Sequence, residues 1–355
     1  MIQVKPNIAA MTAYTAVWKN LDRRKYLRLD LNENTQPLPE HVNAALKRLI
    51  EEQSLQMYPS YEHFLPKLGQ YTNTELDHLV ITNGSDQAIH IILTAFLGQG
   101  DTLLIAEPEF PIFSLSAQIN GANIRKVPYN EDMSFPFAQF CDAIGDDTKL
   151  IVIINPNNPT GTLVSIEQIE IILAENPDIP VIVDEAYFEF TGITSQPLLA
   201  KFPNLIIIRT FSKAFAMAGL RLGYILASAE ITSQLYKIRA PFDVNCCALA
   251  AAEAQIDHPA EWQAYVREVM AVSKPMLESF FDQHDVSYYL GAANFMLVRS
   301  KQRDEVVRHL REHGILVRPM LATAIQDTFR LGIGTALETQ RFIDVFQRFQ
   351  HQKVI

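Results

Sequence analysis

Five short segments of the chain each carry chemically active side chains directly after a run of apolar residues. The segments are NGSDQAI, EPEFPIF, NPNNPTG, DEAY and TFSKAFAMAGLR. Such apolar runs are typical of buried strands, and function in an open parallel sheet sits at the carboxyl ends of its strands. Together the segments offer a lysine, Lys213, a carboxylate, Asp184, an arginine, Arg221, and several hydroxyls, amides and aromatic rings. We therefore expect one site at one edge of a sheet.

These side-chain types fit a ligand that is an aromatic aldehyde bearing a phosphate. A lysine amine condenses with an aldehyde, and burial or nearby cations keep the amine nucleophilic. A carboxylate such as Asp184 can hold a pyridine nitrogen protonated, so that the ring accepts electrons. A helix N-terminus preceded by glycine and serine binds phosphate through its free N–H groups. Arg221, eight residues after Lys213, can bind the same phosphate, and an aromatic side chain can stack on the ring.

Six apolar runs predict the strands that position these residues. They are HLVIT (78–82), DTLLIA (101–106), KLIVIIN (149–155), PVIVDEA (180–186), NLIIIRT (204–210) and RLGYILA (221–227). The runs are continuously apolar rather than alternating, as in strands that are buried on both faces of a mostly parallel sheet. Amphipathic stretches at 85–97 and 166–175 predict helices between them. This order indicates an α/β layered domain.

The pattern changes after about residue 255, where the remaining segments indicate a smaller α+β domain. They are a long helical stretch (261–282), the strand-like ANFMLVR, a helix near 302–313, ILVRPM, FRLGIG and a terminal helix. The first 35 residues have few strand signals and could pack with this second domain. We therefore predict a large cofactor-binding domain over 36–258, and a small domain that combines 1–35, including an N-terminal arm, with 259–355.

Composition and charge exclude several classes of protein. The chain has 355 residues, of which 48% are hydrophobic and 20% charged, and its net charge is −10. This acidic balance, without any basic run, argues against nucleic-acid binding. The apolar runs are far shorter than the roughly 20 residues that a membrane-spanning helix needs. Three cysteines, two of them adjacent, suggest neither a disulfide framework nor a metal site. The start MIQVKPNIAA lacks a signal-peptide pattern, so we expect a cytoplasmic protein.

The motifs resemble those of a known family. SKAFAMAGLRLG, NPNNPTG and DEAY look like fold-type-I pyridoxal-phosphate aminotransferases, and LNEN, MYP, NGSD, PFDVN, ANFMLVR and GILVRP with FRLGIGT look like histidinol-phosphate aminotransferases. The resemblance covers essentially the whole chain. It implies an aspartate-aminotransferase-like fold, in which a mostly parallel seven-stranded sheet lies between helices beside a smaller discontinuous α+β domain. It also implies pyridoxal 5'-phosphate as cofactor, an amino donor and a 2-oxo acid as substrates, and a homodimer.

The same resemblance implies roles for residues around the cofactor ring. Lys213 would hold the cofactor covalently and move protons, and Asp184 would pair with the pyridine nitrogen. Tyr187 and Asn158 would hydrogen-bond the phenolic oxygen of the ring. Phe110 would stack on its face, at a position where the family often has tyrosine.

Two further groups of residues are implied at the two ends of the site. The phosphate group would be held by Gly84, Ser85, Asp86, Thr210, Ser212, Arg221 and, from the neighbouring subunit, Tyr58. The substrate would contact Tyr14, Asn32, Arg318 and Arg330, with Arg330 gripping a carboxylate or its counterpart.

Departures from the family pattern bear on the substrate. Thr35 occupies the proline position of the LNENP box, and Tyr14-Thr-Ala-Val replaces the usual Tyr-x-Pro-Gly of the mobile arm. The resemblance predicts amino transfer between histidinol phosphate and 2-oxoglutarate. Aminotransferases or cyclases for aromatic and other amino acids, and threonine-phosphate decarboxylases, share the scaffold and stay as alternatives. A dinucleotide-dependent oxidoreductase would need GxGxxG after an early strand, and GLRLG has the wrong spacing.

Overall fold

The computed structural model describes residues 3–13 and 21–351, and within these ranges the strands form three sheets. The strands are β1 Leu27–Arg28, β2 Leu79–Thr82, β3 Thr102–Glu107, β4 Asn123–Pro128, β5 Thr148–Ile154, β6 Val181–Asp184, β7 Leu205–Thr210, β8 Gly223–Ala227, β9 Tyr288–Tyr289, β10 Phe295–Arg299, β11 Ile315–Leu316, β12 Arg318–Pro319 and β13 Thr328–Gly332.

Helices cover the sheets and connect their strands. They are α1 Pro6–Ala9, α2 Glu40–Glu51, α3 Phe64–Thr72, α4 Gly84–Phe96, α5 Ile112–Ile119, α6 Phe137–Asp142, α7 Ile166–Glu175, α8 Phe188–Thr191, α9 Ala229–Ile238, α10 Cys246–Asp257, α11 Ala260–Glu268, α12 Lys274–Gln283, α13 Arg303–Glu312 and α14 Ala336–His351. A π-helical turn, Val269–Ser273, joins α11 to α12, so the predicted long helix is interrupted. In the described ranges, no helix combines the length and the apolar character needed to span a bilayer.

The largest sheet has seven strands in the order β2-β8-β7-β6-β5-β3-β4. Five adjacent strands of this sheet, β7, β6, β5, β3 and β4, run parallel to one another. The strand β8 is antiparallel to both of its neighbours, β2 and β7. Because β8 alone is reversed, the carboxyl ends of β2, β3, β5, β6 and β7 meet at one edge. The predicted fold class, a mostly parallel sheet between helices with a smaller antiparallel sheet, is confirmed.

Alternate residues of the central strands pack into two separate apolar clusters. In β7, Ile206 and Ile208 belong to the cluster on one face of the sheet, and Ile207 belongs to the cluster on the other. Both faces of these strands are therefore covered by helices, which explains why successive residues within the runs are apolar rather than alternating with polar ones.

The edge strand β4 was not among the six predicted runs. Three of the six residues in its sequence NIRKVP are polar, and only Val127 is buried. Arg125 pairs with Asp147, and Lys126 pairs with Glu107. The side chains of β4 are less covered than those of the central strands, so β4 lacks their continuous apolar pattern.

A second sheet, antiparallel in the order β12-β13-β10-β9, lies in the C-terminal part of the chain. The segment ILVRPM forms two short strands that belong to different sheets. The first, β11, pairs in parallel with β1, and the second, β12, pairs with β13. The N-terminal segment thus contacts the C-terminal part, with Leu27 opposite Ile315 and the Gly332 N–H donating to Leu29 O at 2.8 Å. The boundaries of the two domains stay a prediction.

Candidate active site

A cavity of about 640 Å³ opens at the carboxyl edge of the seven-stranded sheet. Its wall includes most of the residues singled out in the sequence: Asn32, Ser85, Asp86, Phe110, Asn158, Asp184, Tyr187, Thr210, Ser212, Lys213, Arg221, Arg318 and Arg330. These residues come from segments spread over some three hundred positions, and the parallel strands bring them together because their ends coincide.

Lys213 follows β7 and points its amine at the N-terminal segment. Its Nζ donates a hydrogen bond to Leu31 O at 3.0 Å and lies 5.8 Å from the centre of the Tyr187 ring. Burial, assisted by the positive charge of Arg330, lowers the pKa of Lys213 to about 8. A substantial fraction of the amine is therefore neutral near physiological pH, as a nucleophile and proton acceptor must be.

Asp184 ends β6 and is only 4% exposed. One of its carboxylate oxygens accepts a hydrogen bond from the Ala186 N–H at 3.1 Å. Burial raises the pKa of Asp184 to about 7. No lysine, arginine or histidine of the described ranges forms an ion pair with this carboxylate. A protonated heterocycle bound in the cavity would supply the missing positive charge.

Two hydrogen bonds tie the wall of the cavity together across long sequence distances. The Asn32 side-chain amide donates to the Tyr187 hydroxyl at 3.0 Å. The Arg330 guanidinium donates to the Asn158 side-chain oxygen and to Asp30 O, the latter at 2.9 Å. The segment around Asp30 and Asn32 is thus joined to both sheets at the site.

The N-terminus of α4 forms a tight junction with Arg221. Gly84, the first residue of α4, has φ +77°, and a Cβ there would lie 2.4 Å from a terminal nitrogen of the Arg221 guanidinium. The same guanidinium pairs with Asp86 at 3.0 Å. Gly84 therefore supports the cavity without lining it, while Ser85 and Asp86 are in the wall. The free N–H groups of this 13-residue helix and the guanidinium together suit an anion.

Two hydroxyl groups extend this anion-binding corner. The Thr210 hydroxyl donates to the Ser212 hydroxyl at 3.0 Å, and the Ser212 N–H donates to the Thr210 hydroxyl at 3.1 Å. The Arg221 guanidinium donates to the Ser212 hydroxyl at 3.3 Å. Hydroxyls can rotate to donate to a bound oxygen, so this corner offers additional donors to a phosphate.

The donors and charges of the cavity fit a phosphorylated pyridine aldehyde. The amine of Lys213, the buried carboxyl of Asp184 and the anion-binding corner of Ser85, Ser212 and Arg221 line the same cavity. Each of the three chemical groups of such a ligand thus has a complementary partner at this edge of the sheet.

Two residues singled out in the sequence are outside this arrangement. Tyr58 is 79% exposed and stacks on Phe242 with ring centres 4.5 Å apart, away from the cavity wall. Its contribution to a neighbouring subunit stays a prediction. Tyr14 lies outside the described residues.

Several contributors to the site are not predicted from the sequence. The Leu31 carbonyl, which accepts a hydrogen bond from Lys213, is one of them, although Leu31 opens the LNEN box. Glu107, Glu109 and Lys126 in the cavity wall are others. Both glutamates belong to the segment EPEFPIF, so their position after a predicted strand was a usable signal.

Comparison with known proteins gives the chain a family. Residues 24–346 match the family described as aminotransferase class I and II. A histidinol-phosphate aminotransferase of Caldanaerobacter subterraneus is 33% identical over 313 residues, which cover 87% of this chain and 89% of the relative. One from a Geobacillus species is 32% identical over 338 residues, covering 92% and 91%.

Solved structures agree on the fold. A putative histidinol-phosphate aminotransferase of Erwinia carotovora atroseptica superposes with a TM-score of 0.87 at 25% identity, covering 97% of this chain and 100% of that one. The Sinorhizobium meliloti histidinol-phosphate aminotransferase in complex with pyridoxal-5'-phosphate gives a TM-score of 0.87 at 21% identity, covering 98% and 99%. With the family match over most of its length and the cavity at the sheet edge, the chain belongs to the class I and II aminotransferases.

Proposed function

We propose that the protein transfers an amino group between histidinol phosphate and 2-oxoglutarate, with pyridoxal 5'-phosphate as cofactor. The observation that carries this proposal is that one cavity is lined by the amine of Lys213, the buried carboxyl of Asp184 and three arginines. The matched relatives of 32–34% identity that bear the name histidinol-phosphate aminotransferase support the choice of substrate.

When bound, pyridoxal phosphate supplies an aldehyde that captures amines and a ring that accepts electrons. Lys213 would hold it covalently, and Asp184 would keep its ring nitrogen protonated. Tyr187 and Asn158 would donate to the ring oxygen, and Phe110 would cover one ring face. All five residues line the cavity.

The phosphate of the cofactor would bind at the anion-binding corner. The N–H groups at Ser85 and Asp86 begin α4, and the hydroxyls of Thr210 and Ser212 lie beside the Arg221 guanidinium. The ion pair with Asp86 holds the Arg221 guanidinium in position before an anion binds. Such preorganisation reduces the cost of ordering on binding.

Lys213 is also the group that moves the proton of the substrate. Its pKa of about 8 lets the amine accept a proton and return it within the working pH range. The Leu31 carbonyl, which accepts a hydrogen bond from the amine, orients the nitrogen in the cavity. Both features require the N-terminal segment to lie against the large sheet.

Arg330 and Arg318 would bind the anionic end of each substrate, with Asn32 beside them. A guanidinium presents paired donors that match a carboxylate or a phosphate. This shared chemistry explains how one site could accept both a phosphate-bearing amino donor and a dicarboxylic acceptor. Arg330 is buried and its hydrogen bonds to Asn158 and Asp30 fix its position.

We also propose that the active unit is a homodimer with shared sites. Tyr58 and its neighbour Met57 are exposed, and Tyr58 stacks on Phe242, which is itself half exposed. An exposed apolar group of this kind is typical of an interaction surface. A second copy that covers it could receive the Tyr58 hydroxyl at its cofactor phosphate.

A half-reaction screen tests the proposed reaction. Cofactor-loaded protein is mixed separately with histidinol phosphate, aromatic amino acids, glutamate and threonine phosphate, and the visible spectrum is followed. We expect histidinol phosphate and glutamate to convert the cofactor to pyridoxamine phosphate, and 2-oxoglutarate to reverse the change. Release of carbon dioxide from threonine phosphate without pyridoxamine phosphate would assign the protein to the decarboxylases instead.

A further inference from the structure

The cavity wall contains a buried carboxyl group that the proposed reaction does not use. Glu109 lies between the end of β3 and Phe110, and its side chain is 5% exposed. One of its oxygens, Oε1, accepts a hydrogen bond from the Ser114 hydroxyl at 2.6 Å. The other, Oε2, is enclosed and has no hydrogen-bond partner among the residues that the structure describes. Buried acceptors are nearly always paired, so a donor is missing here.

The charges around Glu109 do not balance. The Lys126 ammonium lies 2.8 Å from a Glu107 oxygen but 3.7 Å from Oε1 of Glu109. One lysine thus serves two carboxylates, and this part of the wall keeps an excess of negative charge when both are ionised. Burial raises the pKa of Glu109, and the hydrogen bond from Ser114 and the charge of Lys126 offset this only in part.

Groups of the opposite charge line the same cavity. Arg318 and Arg330 line it together with Glu107 and Glu109, so the cavity offers guanidinium groups to an anion and carboxyl groups to a hydrogen-bond donor or cation. A ligand that satisfies both sets of groups carries an anionic group and an N–H group. The amino group of the substrate is directed to Lys213, so the N–H group in question belongs to the side chain of the amino donor.

We propose that Glu109 is a specificity-determining residue that accepts a hydrogen bond from an N–H group in the side chain of the amino donor. It thereby favours donors with a nitrogen heterocycle, such as imidazole, over carbocyclic ones of the same shape. This inference rests on the proposed function for the anionic end of the donor. A buried acceptor discriminates effectively between substrates. A substrate without the N–H group leaves the acceptor unpaired, so the binding free energy is lost for that substrate alone.

Binding of two unreactive phosphates to the cofactor-loaded protein tests this role. The probes are histidinol phosphate without its amino group, and the analogue of that compound with phenyl in place of imidazole. Isothermal titration calorimetry gives both affinities without turnover. We expect the wild-type protein to prefer the imidazole compound by about tenfold or more, as for a hydrogen bond to a charged group. Glu109→Ala should remove most of this preference while the affinity for the phenyl compound changes less than twofold.

Glu170→Ala is the matched control, because it removes a carboxylate that pairs with a lysine, Lys201, outside the cavity wall and should keep the preference. Glu109→Thr is a second variant of smaller volume change, and the cofactor spectrum and melting temperature verify that each variant is folded. A preference that survives both Glu109 substitutions, or an equal loss of affinity for both probes, would overturn the inference. A wild-type protein that shows no preference would overturn it as well.

The outcome is separable from that of the proposed reaction. Turnover of histidinol phosphate by the wild-type protein tests the reaction, whereas the two unreactive probes test Glu109. A protein that prefers the imidazole probe through Glu109 but aminates a different acceptor would contradict the reaction and leave the role of Glu109 standing.

Discussion

Among individual side chains, two ionisable groups at the site have pKa values moved in opposite directions by the same cause. Burial lowers the pKa of Lys213 to about 8 and raises the pKa of Asp184 to about 7. Both shifts favour the neutral form, because a charge is costly away from water. A positively charged ring bound beside Asp184 would restore its ionised form, so ligand binding and ionisation are coupled at this carboxyl.

Replacing Lys213 by alanine should abolish covalent attachment of the cofactor and nearly all turnover. The amine is proposed both to hold the cofactor and to move the proton, and general acid–base catalysis alone contributes roughly 10²–10⁴-fold. Borohydride reduction followed by peptide mapping should label Lys213 in the wild-type protein. Lys201→Ala, an exposed lysine paired with Glu170, is the control and should behave as wild type. A label on any other lysine contradicts the assignment.

Asp184→Asn should change how the stability of the cofactor-free protein depends on pH. The pKa of Asp184 is about 7 when folded, against an ordinary value of 3.8, so between these values the folded chain binds more protons than the unfolded chain. The carboxyl therefore makes the free energy of unfolding fall as pH rises from about 4 to about 7. The amide cannot ionise, so the variant should be more stable than wild type at pH 8, by a few kcal/mol.

Urea unfolding of both proteins at pH 5 and pH 8 measures this difference. Glu189, whose pKa burial also raises to about 7, contributes a slope of the same sign in both proteins and cancels in the comparison. If the free energy of unfolding depends on pH equally in wild type and in Asp184→Asn, folding does not raise the pKa of Asp184.

At the level of elements, the anion-binding corner depends on a close crossing of α4 and β8. A Cβ on Gly223, the first residue of β8, would lie 2.7 Å from the Gly84 carbonyl carbon and 2.7 Å from the Ser85 nitrogen. These are backbone atoms, which cannot move aside as the tip of a flexible side chain can. The N-terminus of α4 and the arginine just before β8 are therefore held at one fixed separation.

Gly223→Ala should push the N-terminus of α4 away from Arg221 and weaken cofactor binding. Overpacking of a tight site costs about 1–3 kcal/mol, so we expect a loss of about tenfold or more in affinity. Titration of the cofactor-free protein with pyridoxal phosphate, followed by absorbance, provides the measurement. Gly219→Ala is the matched control, since a Cβ at that position meets no atom within 4 Å. Unchanged affinity in Gly223→Ala would remove the corner from the phosphate site.

For the whole molecule, the proposed sharing of sites between subunits has a direct test in mixed dimers. Lys213→Ala and Tyr58→Phe are each expected to be impaired, the second through weaker retention of the cofactor. If Tyr58 acts on the neighbouring subunit, one site of a mixed dimer has an intact Lys213 and receives an intact Tyr58. Unfolding and refolding the two proteins together should then restore activity.

Random pairing makes half of the dimers mixed, each with one intact site, so about a quarter of wild-type activity is expected if dimers form as symmetric pairs. No recovery, with dimers verified by sedimentation, would mean that Tyr58 serves its own subunit. A cofactor-bound and fully active monomer at micromolar concentration would contradict the shared site altogether.

Local sequence was sufficient for the central strands and the position of the site. Strands such as β6 and β7 are covered on both faces, so each begins with a continuous apolar stretch, and the chemically active residues come at the end of the strand or just after it. The strand β4 could not be predicted in the same way, because most of its side chains are at least partly exposed and its sequence mixes polar and apolar residues. The start of α7 at Ile166 could also be predicted from local sequence, since Ser165 and Gln168 form a capping box.

The contacts that give the site its chemistry required the tertiary structure. Lys213 binds the carbonyl of Leu31, 182 positions away, and Asn32 reaches Tyr187 across 155 positions. The enclosed oxygen of Glu109 is likewise visible only in the folded chain. Periodicity reports which side of an element is buried, and it carries no information about which distant segment covers that side. Burial and neighbouring charge set the pKa values of the site, and both arise only when those segments pack together.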